Sequence, residues 1–492
     1  MATSEKRFVF VGAMVPGKTG RTIFLVLALA ALPLILPPLR PFSGRGQDYK
    51  AMLPNLHELV SFKSNRSAPD TISSSNSTTD APPARDPTDS CSADSIEDPT
   101  RALDHFYSAL ALTEAKKQGS ITRISHYGDS PITNDGITGT VRRLMQERFG
   151  DAGHGFILVD RPWEWYGHQA ITFTTSGGWS DDSLMNPMTK DGMFGLGGVT
   201  FNASPGKTAH FAPATTGDTG RNFSRMDVYY LAQPNGGQFT VSANGETNLT
   251  VSTISDAAKS AFQEIKSAKP GANTFEIKTV SGSVRMFGAV LENDGPGVVY
   301  DSLGVNGAYA GLLARVMNEQ HWAEQLRHRK PDLLILNYGT NESEYASDDQ
   351  MARYEKDLRE VVRRARAALP EVSILIVSPM DRGKHAAGGR VITLDSIPKI
   401  VEMQHRVARD TGCAFLNLYA AMGGEGTMAR WHDGRHHLVG GDLTHPTADG
   451  GITVGVLIYN ALSEGYSDCR ARIRVLEQTI APLKRKTQTI SK

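Results

Sequence analysis

Apolar positions along this chain follow three different rhythms. Residues 22–39 (TIFLVLALAALPLILPPL) run without a charge. Around 120–150, and again from Val298 to about 465, short continuous apolar runs alternate with stretches at helical spacing. Between them, from roughly Phe156 to Val298, apolar residues alternate with polar ones in short segments separated by Gly, Asn and Pro. Continuous apolar runs bounded by helices predict strands of a parallel sheet covered on both faces. Those strands are the run from Ile121 to Gly128, then 298–300, 333–338, 374–378 and 414–418, with helices over 103–117, 136–149, 308–328, 350–369, 394–411 and 447–462. The alternating middle block, with turn signals such as Pro234-Asn-Gly-Gly237 and Asn293-Asp-Gly295, predicts a β-sandwich or jelly roll. Within it, 256–267 breaks the alternation and reads as a short helix or a loop. The middle block is therefore an insertion into one α/β domain, between its first helix and its second strand.

The 22–39 run follows Lys6, Arg7, Lys18 and Arg21, which predicts a signal peptide or signal anchor with its N-terminus in the cytoplasm. No small-x-small cleavage site follows, which favours an uncleaved anchor over secretion. Gly12-Ala-Met-Val-Pro-Gly-Lys18-Thr19 fits a phosphate-loop pattern, but the segment after it is apolar on all sides and contains Pro33, Pro37 and Pro38, so it is read as part of the anchor. Residues 40–100 are rich in Ser, Thr, Asp, Pro and Asn and read as a disordered tether. The predicted organisation is thus a basic N-terminus (1–21), an anchor (22–39), a linker (40–100), a split α/β domain (101–158 and 298–465), the inserted sandwich (159–297) and a C-terminal tail (466–492).

The 52 basic and 52 acidic residues balance, which removes any electrostatic reason to expect nucleic acid as a partner. Cys91, Cys413 and Cys469 are too few for a disulfide framework.

Chemistry concentrates at the predicted strand ends. Ser130 closes Gly128-Asp129-Ser130 on a strand-to-helix turn, where a hydroxyl is exposed and helix amides face any negative charge that develops beside it. A serine needs a base, normally a histidine oriented by a carboxylate, and Asp442-Leu-Thr-His445 provides that pair. Asp301-Ser-Leu-Gly304-Val-Asn-Gly307 and Gly339-Thr-Asn341-Glu342 fall at two further strand ends. Asp129 is expected to hold its turn through side-chain-to-backbone bonds. His432, Asp433, His436 and His437 read either as a solvated loop beside the site or as a metal cluster. Trp163, Trp165 and Trp179 are candidates for core packing or for stacking on sugar rings.

Blocks marked by Ser, Gly, Asn and His, in this order, resemble the SGNH (GDSL-type) hydrolase family. The resemblance covers about 120–158 and 298–465 and implies a three-layer α/β/α domain interrupted by the sandwich. It implies Ser130 as nucleophile, His445 as general base and then acid, and Asp442 as the group orienting it. The oxyanion hole would be the amides of Ser130 and Gly307 and the side chain of Asn341, with Gly304 as the alternative glycine. No cofactor or metal is called for. The sequence departs from the family at Pro131, where leucine is usual, and at Glu342, where aspartate is usual. The stretches 139–156 and 299–308, together with the insertion, resemble bacterial peptidoglycan O-acetylesterases. That resemblance implies an acyl-serine esterase removing O-acetyl groups from a cell-envelope polysaccharide, anchored in the inner membrane and facing the periplasm, or secreted if the leader is cleaved. A polysaccharide O-acetyltransferase with the same triad and a non-catalytic carbohydrate-binding protein are the alternatives; a lipid or thioester substrate also remains open, and the oligomeric state is left undetermined.

Overall fold

The structure, a computed structural model, describes residues 95–490 apart from 270, 272 and 346. The 22–39 run, Cys91 and most of the predicted linker lie outside the described residues. No helix among the described residues is long and apolar enough to cross a membrane.

Five parallel strands form the central sheet: β1 (Ile121–Gly128), β2 (Gly297–Gly304), β3 (Leu333–Asn337), β4 (Ser373–Val377) and β5 (Ala414–Leu416), in the order β2-β1-β3-β4-β5. Successive side chains in a strand point to opposite faces. Leu333, Ile335, Leu375 and Val377 accordingly join one core, while Leu334, Leu336, Ile374 and Ile376 join another. The first core is closed by α1 (Asp104–Glu114), α2 (Gly136–Phe149) and α6 (Ala448–Ile490). The second is closed by α3 (Glu319–Arg329), α4 (Asp348–Ala368) and α5 (Ser396–Thr411). Both faces are covered, as the unbroken apolar runs require. Strand order reverses between β1 and β3, which is where a sheet of this topology opens a crevice for ligands.

The middle block forms two antiparallel sheets. Strands such as Gln238–Ala243 alternate buried and half-exposed residues, and Tyr230 of one sheet packs on Phe239 of the other at 5.1 Å between rings. This is the expected sandwich. Its first strand, Gly153–Ile157, pairs with its last, Val284–Glu292.

Four expectations are corrected. The 256–267 stretch is neither helix nor loop: Lys259–Lys266 is a strand antiparallel to Arg225–Ala232. It ends the order of its sheet, and such edge strands carry charges that hide the alternation. The 308–328 helix is broken into a π-helical turn, Leu312–Val316, and α3. Met317 turns extended between them, Asn318 caps α3 by accepting from the His321 amide, and the Asn318 amide is tied to Gly192 O at 2.9 Å. The predicted tail continues α6, held by Tyr466, which packs edge-on against Phe149 and donates to Glu114. Glu97, assigned by composition to the linker, bridges to Phe415 and extends the sheet beyond β5.

A buried ionic network joins insertion and sheet. Asp301 on β2 accepts two bonds from Arg329 on α3, at 2.8 and 2.9 Å, one from Ser125 on β1 and one from the Phe156 amide. Glu292, at the end of the last insertion strand, accepts from Arg329, from Arg123 on β1 and from Arg225. Burial pushes the Glu292 carboxyl up, but Arg329 and Arg123 outweigh it and hold it far below the usual range. Arg329→Met should therefore cost about 3–5 kcal/mol, because it leaves the buried Asp301 without a counter-charge and removes one of the three arginines around Glu292. Denaturant unfolding of the variant beside the parent measures this, and a loss below about 1 kcal/mol would show that the network is dispensable.

Candidate active site

The turn after β1 is a short 3-10 segment, Ser130–Ile132, with Pro131 at its second position. Proline suits that position, since its missing N–H would have no helical partner. The departure from leucine is thus accommodated by the local geometry. Ile132 is buried beneath the turn, and Thr133 fastens it by donating from its hydroxyl to Ser130 O. Further along, Asp135 precedes α2 in a left-handed conformation and accepts from Thr138, the Gln169 amide and, as a buried ion pair, Arg142.

The structure brings Ser130, His445 and Asp442 together. His445 Nε2 lies 2.7 Å from Ser130 Oγ, and His445 Nδ1 lies 2.5 Å from Asp442 Oδ2. A carboxylate at Nδ1 makes that nitrogen the donor and leaves Nε2 to accept from the hydroxyl. Burial raises the Asp442 carboxyl, but bonds from the His445 ring and from the His445 and Thr444 amides outweigh this and hold it below the usual range. Asp442 therefore stays ionised at neutral pH. The turn that carries the pair is tight: Asp442 Oδ1 accepts from both amides, and Leu443, although buried, is left-handed at φ +56°. Side chains of Asp442 and His445 are about half-exposed, at 53% and 47%.

Gly304 and Gly307 separate clearly. Gly304 ends β2 in register with Gly128, and a Cβ there would meet Ile132 at 2.6 Å. It is a packing glycine beneath the serine turn. Gly307 lies in the loop beyond the strand at φ +75°. Asn341 follows β3, and its side-chain amide donates to Ala308 O at 2.7 Å, one residue after Gly307. Glu342 Oε1 accepts from the Ala310 amide at 3.0 Å. The two consecutive side chains hold the Gly307 loop against the loop after β3.

Asp129 acts across the site rather than within its own turn: its Oδ2 accepts from the Thr340 amide at 3.1 Å. Burial pushes its carboxyl up to about 7. Burial likewise pushes Glu342 to about 8, against the bond from Ala310, with Asp129 adding to the rise.

Arg382, on the loop after β4, carries no motif and sequence reading passed over it. It donates to Thr340 O at 2.9 Å, to Ser343 Oγ at 3.1 Å and to Thr444 Oγ1 at 3.2 Å, and pairs with Glu344. It thereby ties the Asn341 loop to the turn holding His445, and the neighbouring Gly383 amide bonds Leu443 O. Its signal was available only as an arginine at a strand end.

Elsewhere, His432 bonds Asp433 and His437 bonds the His432 carbonyl, and among the described residues no group of three metal-ligating side chains converges. Trp179 is buried, Trp163 packs against the core, and Trp165 is exposed.

Residues 267–451 match the model of the GDSL-like lipase/acylhydrolase family. This part of the chain is similar to the GDSL-type acylhydrolases. The match starts after most of the sandwich, which separates β1 and Ser130 from the rest of the acylhydrolase domain. No curated protein matches by sequence. Among solved structures, a peptidoglycan O-acetylesterase aligns with TM-score 0.65 and 23% identity over 76% of this chain and 99% of that one, which establishes a common fold. A salicylyl-acyltransferase from a tetracycline biosynthetic pathway (14% identity, TM-score 0.27, 60% of this chain and 98% of that one) and a family two carbohydrate esterase from Cellvibrio japonicus (14%, 0.24, 60% and 99%) overlap too loosely to carry weight. The family match and the contact of Ser130 with His445 and Asp442 support a serine ester hydrolase.

Two predictions follow from the supports of the site. Arg382→Gln should lower kcat for a small ester by about ten- to a hundredfold with little change in KM or melting temperature, because it loosens the alignment of groups and not the fold; an unchanged kcat would remove Arg382 from that role. Glu342 binds a proton on folding at any pH between its ordinary value and about 8, so its contribution to stability is present at low pH and lost as pH rises through about 8. Melting curves from pH 5 to 9 should show the parent falling relative to Glu342→Gln, on the order of 3 °C. Parallel curves would contradict the enclosed carboxyl.

Proposed function

We propose that this acylhydrolase removes O-acetyl groups from a cell-envelope polysaccharide, peptidoglycan in the first instance, through an acetyl-Ser130 intermediate. The observation that carries the reading is the continuous chain Asp442–His445–Ser130 at 2.5 and 2.7 Å, standing at the topological switch point of the sheet. Ser130 Oγ attacks the ester carbonyl while His445 Nε2 takes its proton. The tetrahedral intermediate collapses as His445 returns that proton to the sugar oxygen, which leaves as an alcohol. Water, deprotonated by His445, then releases acetate and restores Ser130. Asp442 stabilises the imidazolium formed in each half. The amides of Ser130 and Gly307 and the side chain of Asn341 are assigned to the oxyanion, each worth ~3–4 kcal/mol in the transition state; Asn341 keeps one N–H free while the other holds Ala308 O.

The fold shared with a peptidoglycan O-acetylesterase supports the substrate, and the half-exposed triad suits a polymeric one. The apolar run 22–39 with its basic flank supports an inner-membrane anchor and periplasmic placement.

The test is acetate release from O-acetylated peptidoglycan and from p-nitrophenyl acetate, by the parent and by Ser130→Ala. The parent should act on both, and the variant should lose about a thousandfold or more. Quenched parent protein should carry one acetyl group on Ser130 by mass spectrometry. Activity on the small ester alone would sink the polysaccharide substrate; equal rates in parent and variant would sink the mechanism.

A further inference from the structure

A cleft of about 310 Å³ opens beside Asn341, between the loop after β2 and the first turns of α4. Ligand-sized pockets begin near ~300 Å³, so the cleft is far larger than an acetyl group needs. Its floor is unusual. Glu342 lines it, and Oε2 of that carboxyl is enclosed without a hydrogen-bond partner among the described residues. Buried polar atoms are normally paired, so this oxygen just behind the cleft wall is a hydrogen-bonding group the fold leaves unused. Aromatic surface comes from Tyr309 and the buried Tyr354.

Charge decides the ligand class. Arg315 stacks over the Tyr309 ring at 5.9 Å and is neutralised by Asp357 at 3.0 Å. Arg353 also lines the cleft, is exposed, and shares the charge of Asp357 with Arg315. Two guanidiniums therefore share one carboxylate at the rim, which leaves a net positive charge above a floor of ring faces. Ring faces and a net positive rim together fit a sugar unit bearing a carboxylate.

We infer that this cleft is a subsite for a carboxylate-bearing unit of the glycan, next to the unit whose ester reaches Ser130, with Arg353 holding the carboxylate and the rings of Tyr309 and Tyr354 facing the sugar. The inference rests on the polysaccharide reading above and narrows it to an anionic glycan. The carboxylate belongs either to the sugar itself or to a peptide attached to it.

Binding tests this independently of turnover. Full-length Ser130→Ala protein is titrated with peptidoglycan fragments carrying peptides, with the same fragments after an amidase has removed them, and with neutral xylan oligosaccharides. Adding Arg353→Glu should weaken binding of the anionic fragments about tenfold or more and leave the neutral ones unchanged, and the difference should shrink at high salt. If treatment abolishes the effect, the peptide carboxylate is the ligand; because treatment also frees the sugar carboxyl that carried the peptide, an effect that survives shows that the sugar carboxylate is bound. In the Ser130-intact protein, Arg353→Glu should raise KM for O-acetylated peptidoglycan about tenfold with kcat, and turnover of p-nitrophenyl acetate, unaltered. Equal affinity of both proteins for every anionic fragment overturns the inference even if esterase activity is confirmed. A parent that hydrolyses nothing overturns the esterase reading, and the titration still decides the subsite.

Discussion

The rest of the molecule depends on the pairing of Arg329 with Asp301 and Glu292. Asp301 belongs to the central sheet, Glu292 to the last strand of the sandwich, and Arg329 to the end of α3. A buried ion pair of this kind contributes little net stability compared with an apolar substitute, but it specifies which surfaces meet. Here it specifies a junction. The chain leaves the α/β domain at Gly153–Ile157 and returns along Val284–Glu292, and these two strands pair directly, with Ile157 opposite Ala289. To the parallel sheet, the whole sandwich is closed at its base like a hairpin. Asp301 seals that base by accepting the Phe156 amide, so β2 can lie beside β1 despite the long excursion between them.

Once β1, β2 and β3 are aligned, the site is assembled by loops that bond one another more than they bond their own strands. Asp129 reaches Thr340, Asn341 reaches Ala308, Glu342 reaches Ala310, and Arg382 spans Thr340 and Thr444. The reacting groups stay open to solvent, while the carboxyls that brace them are enclosed. This division is what a polymer substrate requires: the ester must reach Ser130 from outside, yet groups that stabilise a transition state must not reorganise when charge appears.

Legibility in the sequence followed the range of the signal. The β1 strand with its Gly-Asp-Ser turn, the α2 helix and the Asp442–His445 turn each announce themselves within a few residues, and the structure places their side chains in contact across 315 positions. Arg382 and Arg329 announce nothing locally, because an arginine that bridges distant loops looks like any surface arginine until the loops are known. Lys259–Lys266 was obscured for another reason: an edge strand carries its pattern on one side and charges on the other, and only its pairing with Arg225–Ala232 identifies it. The helix break at Met317–Asn318 had a visible cap residue, and the apolar spacing on either side outweighed it.

Glu342 shows how a departure from a family pattern acquires physical content. The side chain is one methylene longer than the usual aspartate, and its carboxyl reaches the Ala310 amide while Asn341, its neighbour, reaches Ala308. Two consecutive residues therefore hold one loop at two points, and the second point lies away from Ser130, in the floor of the cleft. The same turn thus holds the Gly307 loop with one side chain and backs the cleft with the next. A shift in either would be transmitted to the other through a single peptide bond, which ties the position of the Asn341 amide to the packing of Glu342 behind the cleft.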